Sequence, residues 1–347
     1  MNPEKEKLLM PKFEKIAVVG IGLIGASLAA ALKKSESKLE LTGVDSCAET
    51  ISKAEKMGII DQGFTEIAAN LEDQDLIFIA VPVAAIPAVM REIKAGGSSQ
   101  QLLVDAGSTK KEVMLEAAEI LKDSPKIFIG GHPMAGSHKS GIDWHDPELF
   151  KGAPFILTPW LDQSQQEEEE KILKDSSLFD LLETFSKSRI DSADDLDQDE
   201  VKLKNLVQKN ELLQQLKELI GEIGARVHII SAAEHDYCTA YLSHLPHLLS
   251  SALVNLSQQQ DFKGEFFELS GSGYRDMTRI AGSSAELWQD IILSNRENLA
   301  ELIGNYIEEL QELQHDLEAN EQDKIYNFLA KAAEIKTGAE NKGDTEK

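Results

Sequence analysis

A regular alternation in residues 15–230 limits the possible folds more than any other feature of this chain. Short runs of β-branched and aliphatic residues alternate there with longer amphipathic stretches, which is the pattern of an α/β domain with a largely parallel sheet. The apolar runs are nearly continuous, as in strands that are buried on both faces. The predicted strands are residues 16–20, 39–45, 76–81, 102–105, 127–130, 155–158 and 226–230.

After Ser231 the strand pattern stops and long helical patterns follow. Apolar residues then recur at spacings of three and four, at Leu299, Ile303, Tyr306, Leu310, Leu313 and Leu317. We therefore predict an α/β domain over residues 15–230 and an all-helical domain over residues 231–335. Because this apolar stripe is longer than a small helical domain easily buries, we expect a homodimer. Residues 336–347 are predicted to form a disordered tail.

Composition excludes several classes of function. The chain has 347 residues, enough for two domains. Sixty acidic and 35 basic side chains give a net charge of -25, which disfavours binding to nucleic acids and to anionic membranes. Two cysteines cannot form a disulfide framework or a thiolate zinc site, and we expect no metal. The N-terminus lacks an apolar signal region and no stretch is long enough to span a bilayer, so we predict a cytoplasmic protein.

Residues 162–200 interrupt the alternation with fourteen acidic and four basic side chains. Residues 163–170 and 192–200 are typical of solvated coil, with a short apolar helix predicted near residues 178–185. We interpret the segment as a tolerated, dispensable surface insertion in the α/β domain. A role in docking a partner is the alternative.

A glycine triplet connects the first predicted strand to an apolar helix at residues 26–32. Gly20 permits a tight turn, Gly22 allows the backbone to approach a pyrophosphate, and Gly25 allows the helix to pack on the strand. The helix N-terminus would present free N–H groups to the phosphates. A glycine-rich turn without a ligand is the alternative, but Asp45, at the end of the second strand, favours dinucleotide binding.

Asp45 also indicates which dinucleotide is bound. A carboxylate at this position accepts hydrogen bonds from the ribose hydroxyls of NAD and repels the 2′-phosphate of NADP. Ser46 and Cys47 follow, and neither is an arginine that would bind that phosphate. We therefore predict NAD as the cofactor, with an ordinary turn role for Asp45 as the alternative.

Two further motifs follow strands at the same edge of the predicted sheet. The sequence DAGSTK, residues 105–110, closes the fourth strand, and GHPMAGS, residues 131–137, closes the fifth. Because ligands bind at the carboxyl edge of such sheets, Ser108 and His132 are expected to converge on one crevice. Taken alone, Ser108 is more typical of a helix cap.

Together these motifs resemble those of the prephenate dehydrogenase family and its arogenate-using members. The resemblance covers residues 15–309 and rests on GIGLIGAS, VD, VP, DAGSTK, GGHPMAGSHKSG, SHLPH and GYRDMTRIA, in this order. It implies a Rossmann-type doubly wound sheet followed by a helical dimerisation domain. It also implies NAD-dependent oxidative decarboxylation of prephenate to 4-hydroxyphenylpyruvate, CO2 and NADH in tyrosine biosynthesis, with feedback inhibition by tyrosine. An arogenate dehydrogenase and a non-catalytic NAD-binding sensor are the alternatives.

The resemblance also implies roles for individual residues. His132 would accept the proton of the substrate's C4 hydroxyl, and Ser108 would hydrogen-bond the same group. The implied substrate contacts are His247, Arg279, Asp276 and Trp288. The implied cofactor contacts are Gly20, Gly22, Leu23, Ile24, Gly25, Asp45, Val81 and Pro82.

Several of these positions have alternative interpretations. Asp276 and Arg279 could form a salt bridge, and Trp288 could be a buried anchor of the dimer interface. His244 is interpreted as structural. His138 stands where some family members have a glutamate, so no role of that glutamate is carried over.

Overall fold

The computed structural model describes residues 13–35, 38–136, 139–174, 198–258 and 268–344. Eight strands lie within these ranges: β1 Lys15–Val19, β2 Glu40–Val44, β3 Gln62–Phe64, β4 Leu76–Ile79, β5 Leu102–Asp105, β6 Ile127–Pro133, β7 Pro154–Thr158 and β8 Arg226–Ile229. The helices of the first domain are α1 Leu23–Ser35, α2 Ala48–Lys56, α3 Ile86–Ala95, α4 Lys111–Leu121, α5 Gln163–Lys174 and α6 Gln198–Glu222.

The strands form one sheet in the order β3-β2-β1-β4-β5-β6-β7-β8. All neighbouring strands are parallel except β6 and β7, which are antiparallel. The order reverses between β1 and β4, and sheets of this kind bind ligands beside such a reversal, at the carboxyl ends of the strands. This topology confirms the predicted doubly wound sheet.

Two details of the sheet differ from the sequence prediction. The three-residue strand β3 was not predicted, because its half-buried residues, Gln62 to Phe64, give no apolar run. The last strand, β8, is not buried on both faces, since its residues alternate between exposed and half-buried. It lies at the edge of the sheet, where one side of the strand has no neighbour.

Helices cover both faces of the sheet. Alternate residues of β1 point to opposite faces: Ile16 and Val18 belong to one buried cluster with residues of α1, α2 and α6, whereas Ala17 and Val19 belong to another with residues of α3 and α4. The sheet therefore has an apolar core on each side, and its carboxyl edge is left for ligands.

The start of the acidic segment is helical, so the predicted coil over residues 163–170 is wrong. Helix α5 is anchored through Glu169, which accepts hydrogen bonds from Trp160 Nε1 at 3.0 Å and Lys209 Nζ at 2.9 Å. Residues 198–200 likewise begin α6 instead of forming coil. The apolar helix predicted near residues 178–185 lies outside the described residues.

The second domain consists of helices, as predicted. They are α7 Ala232–Thr239, a π-helical turn Ala240–His244, α8 Leu245–Gln258, α9 Ser272–Thr278, α10 Ala285–Ser294, α11 Arg296–Glu318 and α12 Gln322–Asp344. The predicted disordered tail is wrong as far as Asp344, because these residues continue α12, and residues 345–347 lie outside the described part.

The predicted apolar stripe lies on α11 and is only partly buried by this chain. Leu299 and Leu302 join a small core, whereas Ile303, Tyr306, Ile307, Leu310 and Leu317 are 36–58% exposed. None of the described helices is long and apolar enough to cross a membrane.

Candidate active site

The glycine loop has the geometry that the sequence predicts. Gly20 has φ +92°, a conformation that strongly favours glycine, and a side chain at Gly25 would collide with the carbonyl oxygen of Gly20. In contrast, a Cβ at Gly22 would have no atom within 4 Å. Leu23 and Ile24 begin α1 directly after this opening, so the first N–H groups of that helix lie at the loop.

Asp45 closes one side of the loop. Its Oδ2 accepts a hydrogen bond from Ile21 N at 2.9 Å and its Oδ1 accepts one from Cys47 N at 2.9 Å. The half-buried carboxylate therefore orders the turn and also lies beside the loop, which combines the two interpretations of this residue.

Val81 and Pro82 follow β4 on the other side of the switch point. A Cβ at Gly20 would lie 3.0 Å from Cγ1 of Val81, so this segment borders the glycine loop. Open space at Gly22, free helical N–H groups and a carboxylate beside them fit a dinucleotide with a ribose diol.

A buried carboxylate, Asp105, links the two other motifs at this edge. The carboxylate of Asp105 pairs with Nζ of Lys110, and both side chains are fully buried. Asp105 also accepts hydrogen bonds from Gly107 N at 2.8 Å and from Gly131 N at 3.0 Å. The loop that carries Ser108 is therefore tied to the strand that carries His132.

Ser108 is not a helix cap. It is half-buried and lies before Lys110, the N-cap position of α4, which makes no cap with its own side chain. Asp236 of α7 caps this helix, because its Oδ1 accepts Lys110 N at 2.7 Å and its Oδ2 accepts Lys111 N at 2.8 Å. The hydroxyl of Ser108 is thus not used for capping.

His132 lies within β6 and not after the strand, because the antiparallel pairing with β7 extends β6 to Pro133. Nδ1 of His132 is 2.8 Å from Nε2 of His235, and Nδ1 of His235 is 2.8 Å from Oδ1 of Asp236. His235 and Asp236 belong to none of the motifs seen in the sequence. The one local signal was a His-Asp pair behind the capping box of Ser231 and Glu234.

The surroundings of His132 keep its imidazole neutral. Burial and the nearby His235, Lys110 and His244 hold the pKa of His132 well below 6.5. Burial also lowers the pKa of His235, although its hydrogen bond to Asp236 opposes this effect. At neutral pH both rings are therefore uncharged, and His132 can accept a proton.

A second aromatic cluster lies on the helical domain. The rings of His247 and Trp288 stack with centroids 3.6 Å apart and planes 5° apart, and His244 meets Trp288 edge-on at 6.0 Å. His247 is buried, and its Nδ1 has no hydrogen-bond partner within the described residues. The cluster therefore offers one unused imidazole nitrogen.

His244 has the structural environment that the sequence analysis expected. Nδ2 of Asn295 lies 3.2 Å from Nδ1 of His244 and donates to the carbonyl oxygen of Asp236 at 2.7 Å. Burial lowers the pKa of His244 to about 4. It is thus a neutral hydrogen-bonding group between helices.

Asp276 and Arg279 are both exposed, and the salt bridge considered between them does not form. Helix α9 ends at Thr278 and a 3-10 turn, Arg279–Gly282, follows it directly. Within the described part of the chain, no carboxylate pairs with the Arg279 guanidinium. His138 lies outside the described residues. Among those described, no cluster of three or more His, Cys, Asp or Glu residues could hold a metal ion.

Comparison with known families accounts for both domains. The family description "Prephenate dehydrogenase, nucleotide-binding domain" matches residues 28–176, and "Prephenate dehydrogenase, dimerization domain" matches residues 231–331. The chain belongs to the prephenate dehydrogenase family. This result confirms the resemblance seen in the sequence motifs.

Members of the family from several bacteria align over most of the chain. The prephenate dehydrogenase of Lactococcus lactis subsp. cremoris is 31% identical over 94% of this chain and 78% of that protein. The cyclohexadienyl dehydrogenase of Zymomonas mobilis is 26% identical, over 91% of this chain and 92% of that protein. Both alignments span the two domains.

Two solved structures have the same fold. Prephenate dehydrogenase from Aquifex aeolicus, in complex with hydroxyphenyl propionate and NAD+, is 28% identical with a TM-score of 0.72, covering 94% of this chain and 98% of that one. Synechocystis arogenate dehydrogenase is 25% identical with a TM-score of 0.68, covering 91% and 96%. These matches confirm the predicted order of an α/β domain and a helical domain.

Proposed function

We propose that this chain is an NAD-dependent prephenate dehydrogenase that forms 4-hydroxyphenylpyruvate, CO2 and NADH in tyrosine biosynthesis. The observation that carries the proposal is the position of His132, whose Nδ1 is hydrogen-bonded to His235 at the carboxyl edge of the sheet, where the glycine loop also lies. Membership of the family and the NAD+ complex of the Aquifex aeolicus relative support it.

The cofactor site is proposed from the residues around the glycine loop. Gly22 leaves room for the pyrophosphate, and Gly20 and Gly25 shape the turn around it. The backbone N–H groups of Leu23 and Ile24 face the pyrophosphate, and Asp45 binds the adenosine ribose. Val81 and Pro82 border the bound dinucleotide on the β4 side. NAD, when bound, supplies the hydride acceptor.

The chemical step needs a base at the C4 hydroxyl of the substrate. His132 accepts this proton on Nε2, because its Nδ1 is already hydrogen-bonded to His235. Ser108 holds the same hydroxyl in position while the hydride leaves C4. Loss of the ring carboxylate as CO2 then makes the ring aromatic, which drives the reaction forward.

The anionic substrate also needs a cation in a protein of net charge -25. Arg279 has no carboxylate partner within the described residues and can bind a substrate carboxylate through two N–H groups. His247 is proposed as a further substrate contact, and Trp288, stacked on it, fixes the plane of its ring. Asp276, three residues before Arg279, is proposed as a further member of the substrate site on the family resemblance alone.

The substrate itself distinguishes two candidate activities. Prephenate and arogenate differ in a keto group or an amine on the side chain, and the Synechocystis relative is an arogenate dehydrogenase. Steady-state production of NADH from NAD, or of NADPH from NADP, with each substrate tests the proposal. We expect prephenate with NAD to have the highest kcat/KM. A preference for arogenate would reassign the substrate, and NAD binding without turnover of either would indicate a sensor.

We also propose that two copies form a homodimer through the exposed apolar residues of α11. A dimerisation domain is part of the family description, and light scattering at micromolar concentration should give twice the chain mass. Competitive inhibition by tyrosine and a cytoplasmic location stay predictions. A non-competitive pattern against prephenate would exclude tyrosine from the substrate site.

A further inference from the structure

The hydrogen-bonded series Asp236–His235–His132 determines which nitrogen of His132 can accept a proton. We propose that His235 and Asp236 are positioning residues that hold His132 with Nδ1 protonated and Nε2 free. The inference rests on the proposed role of His132 as the base. His235 and Asp236 lie on α7 of the helical domain, and no sequence motif indicated that they contact His132.

Asp236 fixes the direction of the hydrogen bonds. Its two carboxylate oxygens accept N–H groups from Lys110 and Lys111 at the N-terminus of α4, at 2.7 and 2.8 Å. A helix N-terminus favours a negative charge, so Asp236 acts as an acceptor. Nδ1 of His235, which is 2.8 Å from Oδ1, must therefore be the donor.

The donor role of His235 Nδ1 then determines the donor and acceptor nitrogens of both rings. A neutral imidazole has one protonated nitrogen and one acceptor nitrogen, so His235, which donates from Nδ1, accepts at Nε2. Nδ1 of His132, 2.8 Å away, therefore donates to it. This leaves Nε2 of His132 without a proton and with its lone pair available to the substrate.

The surroundings keep this arrangement in place. His235 and Asp236 are fully buried, so water does not compete for their hydrogen bonds. The other charged or titratable groups facing the two rings are Lys110 with its partner Asp105, and His244. Lys110 and His244 disfavour a positive charge on His132, and Asp105 favours one on His235.

Nuclear magnetic resonance of the full-length wild-type chain with 15N-labelled histidine tests the tautomer directly. Of the eight histidines, the His132 signals are assigned as those lost in His132→Asn. We expect a protonated Nδ1 and an unprotonated Nε2 at pH 7.5. The opposite tautomer, or an equal mixture, would overturn the inference. This readout needs no substrate, so it does not depend on the proposed function.

Asp236→Asn should reverse the hydrogen bonds. Its amide can keep one cap of α4 through the carbonyl oxygen while its NH2 donates to His235 Nδ1, which would leave a proton on Nε2 of His132. We expect kcat to fall by about 10²- to 10⁴-fold with KM changed less than about threefold. The NMR signals of His132 should show the other tautomer.

Two further variants separate positioning from stability. Glu234→Gln removes a neighbouring carboxylate of the same helix, from a capping box that does not touch the rings, and should leave kcat nearly unchanged. His235→Gln still offers an acceptor to Nδ1 of His132 and should keep more activity than Asp236→Asn. Equal kcat in Asp236→Asn and wild type, or equal losses in Asp236→Asn and Glu234→Gln, would refute the positioning role. All kcat values of the variants and the wild type are measured with whichever substrate the wild type oxidises.

Discussion

The buried His244 makes the stability of the fold dependent on pH. An unfolded histidine titrates near pH 6.5, whereas burial lowers the pKa of His244 to about 4 in the folded chain. Between these values the unfolded chain binds more protons, so stability falls as the pH decreases. The contribution is fully present above pH 6.5. At pH 5 the loss amounts to 1.5 pH units at 1.36 kcal/mol each, or about 2 kcal/mol.

Urea unfolding of the wild type and of His244→Asn at pH 7.5 and pH 5.0 measures this loss. Protein concentration is held fixed, since a dimer's stability depends on it. His132 and His235 also have lowered pKa values, but they titrate in both proteins. The wild type should therefore lose about 2 kcal/mol more than the variant.

The exposed His228 on β8, away from the proposed dimer helix, provides a matched control. His228→Asn should lose as much stability as the wild type between pH 7.5 and pH 5.0. If His244→Asn also lost as much stability as the wild type at pH 5.0, His244 would become charged at the same pH in the folded and unfolded chains. The argument from burial would then be wrong.

Three further predictions concern the site and the acidic segment. His132→Asn should lower kcat by about 10²- to 10⁴-fold and keep NAD binding. The acid limb of the wild-type pH profile, which should lie below pH 6.5 because the pKa of His132 is lowered, should disappear; normal kcat with a lower Tm would refute the assignment. Arg279→Ala should raise the KM for prephenate about 10- to 100-fold, because hydrogen bonds to charged groups contribute about 1.5–3 kcal/mol, and an unchanged KM would place the carboxylate contact elsewhere. Glu169→Gln should lower the Tm by a few degrees, because Lys209 and Trp160 lose a shared acceptor; an unchanged Tm would support a dispensable segment after all.

The sequence predicted the parts of the molecule that depend on local pattern. Every strand except β3 coincides with an apolar run or overlaps one. The glycine loop directly follows the first of these strands. Gly20, Gly22 and Gly25 occupy the positions that the motif requires, because the turn itself demands the positive φ, the open space and the close packing found at these three glycines.

The parts that could not be predicted depend on contacts between distant segments. His235 meets His132 across 103 positions, and neither residue has a neighbour in sequence that indicates the contact. The charge run in residues 163–170 is typical of coil, but Trp160 and Lys209 stabilise it as a helix through Glu169. The cap of α4 likewise comes from another domain, so local candidates such as Ser108 could not reveal it.

The capping of α4 by Asp236 has a consequence for how the two domains can move. Because α4 belongs to the nucleotide-binding domain, two hydrogen bonds hold α7 against that domain. The junction near Ser231, where strands give way to helices, is therefore a poor place for a hinge. Residues beyond the π-helical turn Ala240–His244 contact the same helix and the loop before it, because Thr109 Oγ1 lies 2.9 Å from Ser294 Oγ and Arg296 donates to Glu112 at 2.9 Å. Any separation of the two domains would have to break these contacts together with the cap of α4.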